Sequence, residues 1–125
     1  MIFLFKIFLF NLFLSFYKSY EICNIYTDYY LFKIELCTNT LTNLVVLKSV
    51  DTSGGNKPNL HIYQKNITEI DINAFNKAKN IIGLYLSSNN IKNINKNIFS
   101  NLVNLNYVSF AGNEIENLRN FTFAN

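Results

Sequence analysis

Residues 81–102 carry two rhythms of apolar residues. Leu84 and Leu86 alternate with small or polar neighbours, as the buried face of a strand does. Asn89 then interrupts, and Ile91, Ile94, Phe99 and Leu102 follow at wider, uneven steps. No single period, helical or extended, covers the stretch. An amphipathic helix over residues 89–99 suits only part of the spacing. The pattern predicts a short strand, a turn at Asn89 and an irregular return whose aliphatic residues point back inward.

The same pattern recurs at a fixed distance. Moving 24 residues forward turns Ile81, Leu84, Leu86, Asn89, Ile91, Ile94 and Phe99 into Leu105, Val108, Phe110, Asn113, Ile115, Leu118 and Phe123. Moving 24 back turns Leu84, Leu86, Ile91, Ile94, Phe99 and Leu102 into Leu60, Ile62, Ile67, Ile70, Phe75 and Ala78. An isolated helix has no reason to echo in this way, whereas stacked supersecondary units do. The three registers resemble the leucine-rich repeat, L-x-x-L-x-L-x-x-N-x-L, in its typical extracellular length. The resemblance implies an α/β-type leucine-rich-repeat solenoid with short parallel strands on a concave face and mostly irregular convex returns. It also implies that the turn asparagine bonds to backbone groups of neighbouring turns, since an amide offers both donors and an acceptor. One unit cannot bury its apolar face alone, so the units stack into a continuous core.

On this reading the repeats occupy residues 57–80, 81–104 and 105–125, the last incomplete. The first departs from the pattern, with Lys57 at the opening aliphatic position and Lys65 in place of the turn asparagine. Residues 21–56 form an amino-terminal β cap. The segments YYLFKIELC (29–37) and LVVLKSV (44–50) read as strands, and SGGNKP (53–58) reads as a loop. A cysteine-flanked cap, a Gly- and Asn-containing loop and then repeats resemble the amino-terminal portion of secreted insect leucine-rich-repeat proteins.

Residues 1–20 have another character. An uncharged apolar run of eleven residues lies between Lys6 and Lys18. It is shorter than the roughly 20 residues a spanning helix needs and suits the core of a secretory signal peptide. An uncleaved signal-anchor is the alternative, because FYKSYEIC offers only Ser19 as a small residue at the cleavage point. The formal charge of +3 belongs largely to this leader. Without Lys6 and Lys18, nine basic side chains face eight acidic ones, a net +1, which gives no basic surface for nucleic acid.

The two cysteines, Cys23 and Cys37, both lie in the cap region. Outside the cell an even pair at the edge of a solenoid reads as a structural disulfide, and extracellular members of the family it resembles often staple their cap this way. Such a bond closes a loop of about fifteen residues, worth about 3 kcal/mol in the chain-entropy model. Their spacing excludes a C-x-x-C redox motif. The sequons Asn66-Ile67-Thr68 and Asn120-Phe121-Thr122 fall at repeat positions expected to be exposed, as a glycan requires. These features together predict a secreted glycoprotein. Ile115, Leu118, Phe121 and Phe123 would leave an open apolar edge at the carboxyl end, which reads as the end of a fragment of a longer protein. A membrane enters only through an uncleaved leader or a missing carboxyl-terminal anchor.

The family resembled implies a recognition module that binds a protein ligand on its concave sheet. Outward strand positions are Asn59, His61 and Tyr63, then Gly83, Tyr85 and Ser87, then Tyr107, Ser109 and Ala111. Tyr63, Tyr85 and Tyr107 step back two residues per repeat and predict a diagonal tyrosine stripe, with Ser87 and Ser109 among the small residues that leave the rings accessible. A structural matrix or scaffolding role is the competing class. An enzyme is not expected. His61 is the sole histidine; it reads as a solvated outward residue of the concave face, counted with Tyr63, Tyr85, Tyr107, Ser87 and Ser109 among the candidate partner contacts rather than as a catalytic base. Glu69 and Asp71 read as solvated carboxylates on the return. No phosphate loop, Cys/His metal cluster or Gly-rich cofactor fingerprint occurs in the sequence, so no cofactor is expected. Non-reducing peptide mapping of the secreted chain should find Cys23 linked to Cys37; two free thiols in secreted material would refute the stapled cap.

Overall fold

The computed structural model describes residues 21–28, 30–55 and 57–116. They form seven strands: β1 (Glu21–Thr27), β2 (Lys33–Asn39), β3 (Val45–Asp51), β4 (Asn59–His61), β5 (Ile67–Ile70), β6 (Gly83–Tyr85) and β7 (Tyr107–Ser109). No helix occurs among the described residues, so the α/β label does not hold for them. Strands β4, β6 and β7 build a three-stranded parallel sheet. Asn59 pairs with Gly83 and Gly83 with Tyr107; Leu60 pairs with Leu84 and Leu84 with Val108. The register is therefore the 24-residue echo itself, because parallel neighbours stack like positions of successive units.

The turns after these strands repeat as closely as the strands. Gln64, Ser88 and Gly112 are equivalent positions, and all three adopt positive φ, at 51°, 56° and 71°. A side chain at positive φ is uncommon, so the turn imposes this geometry whatever residue stands there. Asn89 closes the second turn. Its Oδ1 accepts the backbone N–H of Lys65 at 3.0 Å and of Ile67 at 3.2 Å. Its Nδ2 donates to the carbonyls of Ile62 at 2.8 Å and Leu86 at 2.9 Å. Asn113 repeats the device one unit on, accepting from Ile91 N–H and donating to the carbonyls of Leu86 and Phe110.

The cap is a meander. β1 pairs antiparallel with β2, and β2 with β3. β1 was not expected as a strand, and β2 begins four residues later than the apolar run suggests. The cause is Asp28, whose Oδ1 accepts the N–H groups of Tyr30 and Phe32 at 3.0 and 2.8 Å. That bends the chain through Leu31 at φ 65° before extension resumes at Lys33. A second side-chain-closed turn, this one built on an asparagine, joins β2 to β3: Asn39 Oδ1 accepts from Leu41 and Thr42, and Asn43 sits at φ 56°.

The return of the first repeat differs from the irregular path expected for it. Residues Ile67–Ile70 form β5 and pair parallel with β3, completing a four-stranded sheet ordered β1-β2-β3-β5. The hydroxyl of Thr68 donates to the carbonyl of Val45, and the N–H of Val45 donates back to it. Thr52 makes a similar clasp further along, its hydroxyl accepting from Lys79 N–H at 2.9 Å and donating to the carbonyl of Lys79 at 3.1 Å, with that of Lys77 at 3.5 Å as the longer alternative. The cap thus has no core of its own. Phe32, Ile34, Leu36, Leu47 and Val50 bury against Leu60, Ile62, Ile67, Phe75, Ile81, Leu84, Leu86 and Ile91 in one cluster. Phe75, Phe99 and Phe110 run along this core with ring centroids 5.7 and 6.2 Å apart. Ile115 is half-buried, while Leu118, Phe121 and Phe123 lie outside the described residues.

Three substitutions test this architecture by chemical denaturation. Leu84→Ala should cost about 2–5 kcal/mol through the cavity it leaves. Asn89→Ala should cost roughly 1–3 kcal/mol, because it orphans buried backbone groups. Asn104, an exposed residue of the return, should tolerate alanine within about 0.5 kcal/mol. Asn95 is a poorer control than its surface position suggests, since its Oδ1 accepts the N–H of Asn97. Equal tolerance at positions 89 and 104 would show that the turn amides are not structural.

Candidate functional site

The face of the β4-β6-β7 sheet that points away from the core carries alternate residues of each strand. One row is Asn59, Gly83 and Tyr107; the next outward row is His61, Tyr85 and Ser109. Strand spacing of about 4.8 Å brings the members of a row within stacking reach. His61 and Tyr85 lie nearly parallel, with centroids 4.5 Å apart and 14° between planes. Tyr85 meets Tyr107 at 5.2 Å in a tilted contact. The pairing crosses from one row to the other because Gly83 has no side chain: a Cβ there would stand 3.1 Å from Tyr85 Cε2 and 2.5 Å from Asn59 Oδ1.

Tyr63 lies beyond the end of β4, and its hydroxyl shares a hydrogen bond with Nδ1 of His61. Their rings are 5.3 Å apart. The tyrosine stripe is therefore not three tyrosines in succession. His61 stands between Tyr63 and Tyr85 and is half-buried, so it is packed into the aromatic row rather than freely solvated. The cap contributes a residue that sequence reasoning missed. Tyr30 sits 6.4 Å from His61, tilted at 41°, and extends the row past the first repeat. Nothing local in the run YYLFK marks Tyr30 for this face; the Asp28 turn puts it there.

The rings differ in access. Tyr107 is 53% exposed and Tyr63 44% exposed, whereas Tyr30, His61 and Tyr85 are half-buried. Ser87 and Ser109 are also half-buried, and their hydroxyls share a hydrogen bond at 3.0 Å. They flank Tyr85 with little bulk, and each satisfies the other.

The other candidate positions fall elsewhere. Cys23 and Cys37 face each other across β1 and β2 and form a disulfide. Glu21 lies beside them, but both sulfurs are used, and Glu21 pairs with Lys48 at 3.3 Å. Asn66 is exposed in the first turn at φ 55°; Asn120 lies outside the described residues. Glu69 is exposed, and Asp71 Oδ1 accepts the N–H of Asn73. A shallow basic hollow by the cap holds Lys57, Lys77 and Lys79 around Asp51. Hydrogen bonds from Ser53 hold the Asp51 carboxyl below its usual range.

The family model described as Leucine rich repeat matches residues 59–124, just over half of the chain. The chain belongs to the leucine-rich repeat family. No curated protein and no solved structure matches it. The match begins at the first residue of β4, where the parallel repeat sheet starts, and leaves the disulfide-bonded hairpin outside it. Such repeats generally mediate protein–protein interaction, and the aromatic row lies on the sheet that the repeats create. Among the described residues no helix is long and apolar enough to cross a membrane.

Gly83 gives a direct check on this geometry. Gly83→Ala should displace the Asn59 amide and the Tyr85 ring, shifting the ring resonances of Tyr85 and Tyr107 in NMR spectra. The stability cost should be about 1–3 kcal/mol, as for a small overpacking change. Unshifted tyrosine resonances would mean that the rings do not cross Gly83.

Proposed function

We propose that the protein is a secreted or cell-surface recognition module that binds a protein partner on the concave face of its repeat sheet. The observation that carries this reading is the continuous aromatic row Tyr30–His61–Tyr85–Tyr107, with Tyr63 hydrogen-bonded beside it. Tyrosine presents large amphipathic contact area at small entropic cost and is enriched at interfaces. Its neighbours here hold the rings before any partner arrives, which lowers the cost of ordering them on binding. Ser87 and Ser109 supply polar edges around the row. The Cys23–Cys37 bond supports an oxidising destination, and exposed Asn66 supports glycosylation at its sequon, with Asn120 as a second acceptor. On this reading His61 is a contact residue with no catalytic role.

The partner would be captured from extracellular fluid by crosslinking to the immobilised chain, and its affinity then measured against variants. Tyr85→Ala should weaken binding by about 2 kcal/mol or more, as at a central hot spot, while the melting temperature stays close to that of the parent. Unchanged affinity in a folded variant would remove Tyr85 and its row from the interface.

A further inference from the structure

Strand β1 is the only strand whose every residue is exposed among those described. It lies at the edge of the four-stranded sheet and, among the described residues, pairs with β2 alone. Ile22 and Ile25 are 56% and 67% exposed, and Tyr26 is 42% exposed although Lys65 Nζ sits over its ring. A seven-residue edge strand that exposes Ile22, Ile25 and Tyr26 and has no register shift against its neighbour is of the kind that soluble proteins usually avoid or cover.

The direction of the unpaired groups can be fixed. The Cα atoms of Cys23 and Cys37 are 4.0 Å apart, the closeness of a non-hydrogen-bonded antiparallel pair. The N–H and C=O of Cys23 therefore point away from β2, and by alternation so do those of Glu21, Ile25 and Thr27. The free edge thus offers donors and acceptors at every second residue along its length.

We propose that this edge pairs antiparallel with β1 of a second copy of the chain, about a two-fold axis at Asn24. The sequence of the strand, EICNIYT, is what selects the occupant. With Asn24 opposite Asn24, Glu21 pairs with Thr27 and Cys23 with Ile25, and all four are the outward-bonding residues. About eight main-chain hydrogen bonds result, two for each such pair. On one face of the ribbon Ile22 meets Tyr26 of the second copy twice, an aliphatic–aromatic cross-strand pair of the stabilising kind. The two Asn24 amides meet at the axis, each able to donate and accept. A shift of one residue destroys this match, because it places inward-bonding residues opposite outward-bonding ones. A two-fold interface must be self-complementary in this way. The pairing uses no part of the aromatic row.

The full chain, expressed through a eukaryotic secretory pathway with its disulfide formed, tests the proposal. Light scattering of the native protein should give twice the mass found for the denatured chain by mass spectrometry, with dissociation on dilution. Amide exchange at Cys23, Ile25 and Thr27 should slow at least about tenfold between dilute and concentrated samples. Asn24→Lys and Asn24→Asp should each be monomeric, since like charges then meet on the axis, and mixing the two should restore a heterodimer. Ile25→Pro, which removes only an outward N–H, should also be monomeric and keep its disulfide. A wild-type protein that stays monomeric at high concentration overturns the proposal. So does a dimer that is indifferent to both Asn24 charges and leaves the three amides unprotected.

Discussion

The fold depends on a side-chain amide that belongs to two turns at once. Asn89 is only 4% exposed and satisfies two N–H groups of the preceding turn together with carbonyls from both turns. Those backbone groups cannot reach water or a regular ladder, so without the amide they would be buried and unpaired. Leu86 O receives both Asn89 and Asn113, and Asn89 also holds Ile62, Lys65 and Ile67, so the two amides together link three successive units. The amides therefore do more than close turns. They fix the distance between units, and that distance keeps Leu60, Leu84 and Val108 in one inward column.

A ladder of this kind must end, and the first repeat shows how. Lys65 cannot reach back as an asparagine would, and no earlier repeat exists among the described residues for it to reach. The role passes to Thr68, three residues on, whose hydroxyl both donates to and accepts from the backbone of Val45. The first return then straightens into β5 and joins the cap sheet. The stack is closed at this end by changing the direction of hydrogen bonding, from amide–turn links within the repeat sheet to a strand pair with β3. Apolar closure follows from the same move, since Ile67 is wholly buried between the cap and the second repeat.

How much of this the sequence reveals depends on whether the cause is local or borrowed. The repeat sheet is legible because parallel stacking turns a spatial register into a sequence period, so Leu84 and its echoes state their pairing directly. The turn asparagines are legible for the same reason. β5 is not, because Ile67-Thr68-Glu69-Ile70 and its counterpart Ile91-Lys92-Asn93-Ile94 share their apolar spacing, yet only the first is a strand. The difference lies in the neighbour: β3 lies beside the first and not beside the second. β1 is illegible for a related reason, since its extension comes from pairing with β2 and a covalent link rather than from a buried face. At the candidate site register puts the tyrosines and His61 on the outward face, but it does not give their order along the row, and it does not place Tyr30. Their positions in the row follow from ring contacts across strands and from the Asp28 turn.

The aromatic face is an outcome of the same spacing that the amides fix. Strands about 4.8 Å apart leave room for rings to stack only when some outward positions are small. His61 and Tyr85 occupy one row and stack almost flat at 4.5 Å. A third ring in that row would continue the column, but Ser109 stands there instead. The next ring is Tyr107, in the other row, and Tyr85 reaches it only across the empty space at Gly83. Alternation of large and small residues thus sets the path of the row across the sheet and leaves its last member the most open. A partner that lay along this path would meet fixed ring edges and faces, with its own flexibility as the main entropic cost of binding. The strand spacing on which this ring path depends is inherited from the turn amides beneath it.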